Sequence, residues 1–185
     1  MLRRMQVFFR SWAEIGAFVE QLHLLVCPRC GAQGSMGPHG WRRTYDSRGR
    51  RRTSGRRIRC LPRRGGCGKT PCLRPGNILS RRWIDAAELE RFIRELVHGR
   101  SVKAAWERCG MRMSLDSGYR LYRRFWLCLP ILRTRLCSRA PPPPCGQEKS
   151  ALHQMFAHLG SALKADGMGV RTYQQAFQKD FLAVA

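Results

Sequence analysis

Two pairs of cysteines are the residues whose type and spacing point most directly to chemistry. Cys27 and Cys30 are separated by two residues and followed by a glycine, which permits the tight turn of a zinc knuckle. Cys60 and Cys67 are the best second pair, because a glycine also follows Cys67. Four thiolates predict a closed, tetrahedral Zn²⁺ site that stabilises a fold and has no open position for a catalytic water.

The second pair has competitors. Residues 61–66 separate Cys60 from Cys67, which is longer than the usual spacing of a knuckle, so this segment has to loop out. Cys72 is an alternative ligand, separated from Cys67 by four residues, and His39 is a weaker one. The cysteines could also be small apolar side chains with no metal. The sequence leaves the choice between Cys60, Cys67 and Cys72 open.

The remaining cysteines, the N-terminus and the longest apolar run indicate the cellular compartment of the protein. We expect Cys109, Cys128 and Cys137 to be core or lightly exposed thiols on helices, and Cys145 to be inert. The basic N-terminus lacks the apolar core of a secretory signal, and the longest apolar run is too short to span a membrane. We therefore expect a cytoplasmic protein with no membrane association, where disulfides are disfavoured and nine cysteines suggest metal binding.

The charge balance points to an anionic partner. The chain has 35 Lys and Arg against 12 Asp and Glu, a formal net charge of +23. Such an excess opposes compaction unless a polyanion neutralises it, although an arginine-rich codon usage explains part of it. Asp46 is the only acid between residues 42 and 82. We predict phosphate contacts from the arginines of a hairpin between the two knuckles, namely Arg42, Arg43, Arg50, Arg51, Arg52, Arg56, Arg57 and Arg59.

The elements that position these residues follow from capping and periodicity. Ser11 and Glu14 predict the start of an amphipathic helix within residues 1–26. Segments 41–45 and 56–61 predict short strands inside a ribbon at 27–77. Trp41 and Tyr45 could stack on bases, but we expect them in the small core of the ribbon.

Three helices are predicted in a domain at 78–139, capped by Asp85, Ser101 and Ser114, with Pro130 ending or kinking the third. They resemble a helix-turn-helix, for which an ordinary three-helix bundle is the alternative. The inner face predicted for the third helix is Leu115, Tyr119, Tyr122, Trp126 and Leu129. The residues predicted to read bases are Asp116, Ser117, Arg120, Arg123 and Arg124.

The last segment, 140–185, opens with a polyproline linker at 141–144. A helix is predicted over 148–164, and the tail carries Tyr173, Phe177 and Phe181 at helical spacing. We expect this segment to dock a partner, either a second copy of the chain or a recombinase. The expected fold class is a small α+β: a zinc ribbon of short strands, then an all-α helix-turn-helix-like bundle and a C-terminal helix.

The motifs Cys27-Pro28-Arg29-Cys30-Gly31 and Cys67-Gly68-Lys69-Thr70, followed by the helical trio, resemble the N-terminal region of bacterial insertion-sequence transposases. The chain also looks like short bacterial proteins that carry only this region. In that group the ribbon and the helix-turn-helix bind the ends of the element. The resemblance covers about residues 26–125 and departs where Pro71 and Cys72 replace the usual aromatic after the second motif.

These features together predict a non-enzymatic, zinc-dependent DNA-binding protein of a mobile element or its regulation. The transposases cut DNA with three carboxylates on a ribonuclease-H-like fold, and the acids Glu148, Asp166 and Asp180 lie in too short a stretch for that fold. One alternative is an RNA-binding zinc-ribbon accessory protein. Another is the DNA-binding fragment of a split transposase.

Overall fold

The computed structural model of the chain describes residues 6–79, 83–144, 150–164 and 168–183. They form a small α+β structure with a four-stranded mixed sheet and six α-helices. The chain divides into two compact units. Unit 1 comprises residues 1–44 and 51–76, and unit 2 comprises residues 45–50 and 77–185. The N-terminal helix and the ribbon, which were expected as separate segments, both belong to unit 1.

The sheet has four strands: β1 (Gln6–Phe9), β2 (Met36–Tyr45), β3 (Arg51–Cys60) and β4 (Cys72–Pro75). Their spatial order is β1-β4-β3-β2, with β1 parallel to β4 and β3 antiparallel to β4. Both strands of the predicted hairpin are longer than the segments 41–45 and 56–61. Pairing extends them through glycines and arginines that have low intrinsic preference for strands.

Strand β1 was not predicted. It is four residues long, and its partner is distant in sequence, with Gln6 paired to Cys72. Helix α1 (Trp12–Glu20) follows it and is capped as expected, because Ser11 Oγ accepts a hydrogen bond from Glu14 N at 3.2 Å. The core of unit 1 is small, and its buried members are Ile15, Leu22, Cys27, Met36, Ile58, Cys60 and Leu73.

The turn of the hairpin is organised by Asp46. Its Oδ1 accepts hydrogen bonds from Arg48 N at 2.9 Å and from Arg50 N at 2.8 Å, and its Oδ2 accepts one from Arg50 Nε at 3.0 Å. These donors, led by Arg50 N, hold the pKa of Asp46 below its usual value. The lone acid of the arginine-rich span therefore shapes the turn.

Unit 2 contains the other five helices. They are α2 (Ala86–Val97), α3 (Val102–Arg108), α4 (Leu115–Cys137), α5 (Ala151–Leu163) and α6 (Gly169–Phe177). Asp85 and Ser101 cap α2 and α3 as predicted. The cap of α2 is reciprocal, because Asp85 N in turn donates a hydrogen bond to the Glu88 carboxylate. Ser47 of the hairpin turn donates a further hydrogen bond to Glu88.

The inner face predicted for α4 is only partly correct. Its buried residues are Gly118, Leu121, Phe125, Cys128, Leu129, Leu132 and Leu136. Of the predicted face Leu129 is buried, Leu115 and Tyr122 are half-buried against the core, and Tyr119 and Trp126 are exposed. Gly118 explains the difference, because Trp106 of α3 packs so closely on it that a Cβ there would lie 2.9 Å from the indole ring. The close contact between α3 and α4 thus depends on a glycine of α4.

Pro130 was expected to end or kink α4, but the helix continues through it to Cys137. The ring of Pro130 is exposed, whereas Leu129 and Leu132 beside it are buried. Packing on both sides therefore retains the helix despite the missing backbone donor. Among the described residues, no helix is both long and apolar enough to cross a membrane.

The C-terminal helices complete the core of unit 2. Leu152, Met155 and Leu159 of α5 are buried, as predicted, together with Tyr173 and Phe181 of the tail. Helix α5 begins at Ala151 with Ser150 as its cap, and residues 148 and 149 of the predicted helix lie outside the described residues. The apolar residues of α5 and of the tail thus pack within unit 2.

Hydrogen bonds between buried side chains and backbone groups hold the C-terminal tail against the rest of unit 2. Glu90 of α2 accepts one from Val170 N at 3.2 Å. Gln174 donates to Ile78 O at 3.2 Å and accepts from Phe181 N at 3.1 Å. Because these side chains are buried, their hydrogen bonds satisfy polar groups that would otherwise be costly to enclose.

We predict that Gly118→Ala destabilises unit 2 by about 1–3 kcal/mol, because the added methyl group overlaps the Trp106 ring. Gly160→Ala is the matched control, since a Cβ there meets nothing within 4 Å and alanine favours the helix by about 0.5–1 kcal/mol. Thermal unfolding should show a lower midpoint for the first variant and an equal or higher one for the second. Equal shifts in both would contradict the Gly118–Trp106 contact.

Candidate metal centre

The first knuckle is a tight turn between α1 and β2. Cys27 N donates to Ala32 O at 2.9 Å, and Gly31 N donates to Cys27 O at 2.9 Å. Gly31 has a φ of 72°, which a residue with a side chain adopts only with strain. The turn brings both thiols of the Cys27–Cys30 pair to one side and explains the glycine of the motif.

The second knuckle closes in the same way despite its longer spacing. Cys60 N donates to Lys69 O at 2.9 Å, and Gly68 N donates to Cys60 O at 2.9 Å. The extra residues form a short 3₁₀ turn over Pro62–Arg64, followed by Gly65 with a φ of 71°. The segment between Cys60 and Cys67 therefore loops out as expected, and the Sγ atoms of the two cysteines lie within 4.8 Å of each other.

The two knuckles bring four thiols together. The Sγ atoms of Cys27, Cys30, Cys60 and Cys67 all lie within 4.8 Å of one another. The Cys27–Cys67 separation is 3.9 Å and the Cys30–Cys60 separation is 3.7 Å. A tetrahedron with metal–sulfur distances of ~2.3 Å has edges of about 3.8 Å, so one metal ion fits among the four. None of the described cysteines forms a disulfide.

The alternative metal ligands considered from the sequence lie outside the four-cysteine cluster. Cys72 is in β4 and does not belong to the cluster, and its Sγ lies against Gly55. His39 is exposed on β2 and is also outside it. Cys109 and Cys128 are buried in unit 2 and Cys137 is exposed, whereas Cys145 lies outside the described residues.

Burial and backbone donors give the thiols different acidities. Burial raises the pKa of Cys27 to about 11, against backbone N–H groups that lower it. The backbone N–H of Ala32 lowers the pKa of the exposed Cys30 to about 7. Cys30 therefore ionises before Cys27 as the pH rises. A bound cation requires all four thiolates, so binding releases protons and weakens as the pH falls.

Two residues that the sequence analysis missed support the cysteines. Ser35 is buried and its Oγ lies 3.1 Å from Cys60 Sγ. Gly66 packs so closely that a Cβ there would lie 2.5 Å from Cys60 Sγ. Cys67 N also donates to Cys60 Sγ at 3.2 Å. Such donors orient thiolates and tune their basicity. Gly66 was noted only as a loop residue, and nothing in the spacing singled out Ser35.

The predicted phosphate-binding arginines are at the surface in different degrees. Arg43, Arg50, Arg51 and Arg57 are exposed, and Arg42, Arg52, Arg56 and Arg59 are half-buried. Within residues 36–60 there are nine arginines and one acid, Asp46, which pairs with Arg50. The exposed members therefore present a positive surface that the protein's own carboxylates leave largely uncompensated.

The arginines predicted to read bases from α4 have different surroundings. Arg120 and Arg123 are exposed, and Arg120 forms an exposed ion pair with Asp116 at 2.7 Å. Arg124 is half-buried, and its Nε donates to Leu182 O at 3.0 Å. Arg124 thus fastens the tail, which leaves Arg120 and Arg123 as the accessible arginines of the predicted set on this helix.

The aromatics of the hairpin are not in the core. Trp41 and Tyr45 are each about half exposed, contrary to the expectation that they fill the ribbon interior. Trp41 contacts Trp12 and Arg56, and Tyr45 contacts Trp83 within unit 2. The core of unit 1 is filled instead by aliphatic residues and by two of the cysteines.

Comparison of the chain with protein-family models, with curated proteins and with solved structures found no match. The resemblance to transposase N-terminal regions therefore rests on the two cysteine motifs and the helical trio. The interpretation of the site depends on its own geometry.

We predict that Cys60→Ser abolishes stoichiometric metal binding, because three thiolates and a hydroxyl make a much weaker site. Cys72→Ser is the matched control, since Cys72 is a neighbouring cysteine outside the cluster. The measurement is metal content per chain after loading with Zn²⁺ and desalting. We expect one ion for the control and the unchanged protein and none for Cys60→Ser. Retention by Cys60→Ser together with loss by Cys72→Ser would exchange the two ligand assignments.

Proposed function

We propose that the four cysteines bind one structural Zn²⁺ ion and that the chain is a zinc-ribbon protein that binds duplex DNA. The observation that carries the metal proposal is the set of four Sγ atoms at tetrahedral spacing. Four thiolates in this geometry favour zinc or an iron–sulfur centre, and the two glycine-containing knuckles are typical of zinc. A site closed by four protein ligands has no position for substrate, so the metal stabilises the fold.

The structural role is supported by the composition of unit 1. Two of its seven buried core residues are the ligands Cys27 and Cys60, and the sheet contains only four strands. A core of this size rarely supports a fold without a metal or a disulfide. The ion would replace missing apolar contacts by linking the N-terminal knuckle to the end of β3.

We predict that chelation of the metal unfolds unit 1 and leaves unit 2 folded, because the large core of unit 2 contains no ligand. Hydrogen exchange of the full chain, with and without a zinc chelator, tests this. Peptides from β2 and β3 should lose protection, while peptides from α2 and α4 should keep it. Protection of β2 and β3 that survives complete metal removal would refute the structural role.

Duplex DNA is the proposed partner because of the charge on the hairpin. Arg43, Arg51 and Arg57 are exposed on its strands, and the chain as a whole has a formal net charge of +23. Guanidinium groups bind phosphate oxygens through paired hydrogen bonds. Neutralised phosphates release counterions, which supplies most of the affinity without regard to sequence. The metal site closes the end of the hairpin opposite the turn and would hold these groups in fixed positions.

Sequence preference is proposed to come from α3 and α4 acting as a helix-turn-helix. Their contact through Trp106 and Gly118 is close, and Arg120 and Arg123 are exposed in the first half of α4. In that motif the second helix enters the major groove with its N-terminal residues against the bases. Together with the transposase resemblance, this arrangement supports a non-enzymatic role in a mobile element or in its regulation.

We predict that the affinity for duplex DNA falls steeply with salt. Changing Arg43, Arg51 and Arg57 together to Ala should reduce the salt slope by about one for each phosphate that is no longer neutralised. Arg91→Ala is the control, because Arg91 is exposed on α2 and outside the hairpin. The measurement is fluorescence anisotropy of a labelled duplex at several salt concentrations. Affinity independent of salt, or a slope unchanged in the triple variant, would contradict the proposal.

The same titrations separate the DNA proposal from the RNA alternative. An unlabelled RNA hairpin and an unlabelled DNA duplex of equal length compete for the zinc-loaded protein. Preferential displacement by the duplex supports the DNA assignment, whereas preferential displacement by RNA would favour the accessory-protein interpretation.

A further inference from the structure

Two exposed tryptophans and a half-buried arginine form a cluster on unit 1, which we name the Trp platform: Trp12, Trp41 and Arg56. The rings of Trp12 and Trp41 meet edge to face, with centroids 5.9 Å apart. The guanidinium of Arg56 lies over the Trp41 ring, 4.4 Å from its centroid. The three residues come from α1, β2 and β3, so tertiary structure assembles the cluster.

Core packing does not account for the Trp platform. Trp12 is 38% exposed and Trp41 is 52% exposed, and neither belongs to the buried cluster of unit 1. Helix α1 contacts that cluster through Ile15, which is 1% exposed. Single exposed apolar residues are ordinary, but two tryptophans in contact, joined to an arginine, are typical of a binding surface.

The side chains of the Trp platform favour a ligand that has a planar ring and a nearby negatively charged group. Indole rings offer π-faces for stacking, and arginine adds both stacking and charge. Arg43 is two residues beyond Trp41 on β2, on the same face of the strand, and is exposed. If a nucleobase stacked on the indole of Trp41, the guanidinium-bearing residue Arg43 would lie about 7 Å further along the strand and could bind its phosphate.

We infer that the Trp platform binds an unpaired nucleobase, so that unit 1 recognises single-stranded nucleic acid next to a duplex, such as a frayed or overhanging end. The inference rests on the proposed nucleic-acid function and adds the structural state of the ligand. Bases inside a duplex already stack on both sides and have no free face. A base inside the duplex can therefore stack on protein aromatics only after it has left the helix.

The test compares three labelled DNAs with the zinc-loaded full chain: a blunt duplex, the same duplex with a four-nucleotide overhang, and that overhang with abasic sites. The overhang should bind about fivefold to 150-fold more tightly than its abasic counterpart for a single stacked base. The salt slopes of these two DNAs should be equal, because they carry the same phosphates.

The Trp platform is tested directly by Trp41→Leu, which retains an apolar side chain but removes the π-face. This variant should bind the normal and the abasic overhang equally and should bind the blunt duplex as the unchanged protein does. Trp126→Ala is the matched control, since Trp126 is 37% exposed on α4, in unit 2, and it should keep the preference for the normal overhang. Trp41→Phe should retain part of that preference. Metal content and circular dichroism establish that each variant is folded.

The possible results separate this inference from the proposed function. If the chain binds the blunt duplex but treats normal and abasic overhangs alike, the Trp platform inference is wrong and the DNA proposal stands. If Trp41→Leu weakens all three DNAs equally, the cluster is structural and the inference is again wrong. Salt-independent binding, or no binding to any of the DNAs, would overturn both proposals. Should Trp41→Leu fail to fold, the comparison of normal and abasic overhangs on the unchanged protein decides the question.

Discussion

The closure of two knuckles around four thiols is the constraint on which unit 1 depends. It joins Cys27 and Cys30, which precede the hairpin, to Cys60 at the end of β3 and Cys67 just beyond it. The same closure determines which strand ends meet, since Leu61 N donates to Ser35 O at 2.8 Å beside the site. Few apolar residues are available nearby, so the position of the hairpin strands follows mainly from sulfur geometry and backbone hydrogen bonds.

The positive charge of the hairpin opposes the close approach of its strands, which the knuckles help to maintain. Nine arginines in residues 36–60 repel one another, and an unrestrained loop would spread them apart. Backbone pairing, the Asp46 turn and the knuckles instead hold seven of them on two adjacent strands, with Arg48 and Arg50 in the turn between the strands. Such a surface is organised before any partner arrives, which reduces the entropy lost on binding. The arginine-rich segment is therefore a folded hairpin with concentrated positive charge.

Local signals in the sequence predicted the features that depend on local chemistry. The glycine after each cysteine pair identified the knuckles, and Ser11, Asp85 and Ser101 identified helix starts, because caps and tight turns involve neighbouring residues. The long-range features were missed. Strand β1 depends on a partner more than sixty residues away, and four residues carry too little periodicity to reveal it. The inner face of α4 was predicted only in part, because the burial of Gly118 depends on Trp106 of another helix and leaves no signal in the local pattern.

The position of the tail in unit 2 has a consequence for synthesis on the ribosome. The strands of unit 1 and its four clustered cysteines all lie within residues 6–75, so this unit can fold early. The core of unit 2 includes Phe181 and Leu182, which emerge roughly 100 residues later. At typical elongation rates this delay is about 5–20 s. The nascent chain would therefore present an arginine-rich hairpin with four clustered thiols before α5 and the tail, which cover the apolar faces of α2 and α4, have been synthesised.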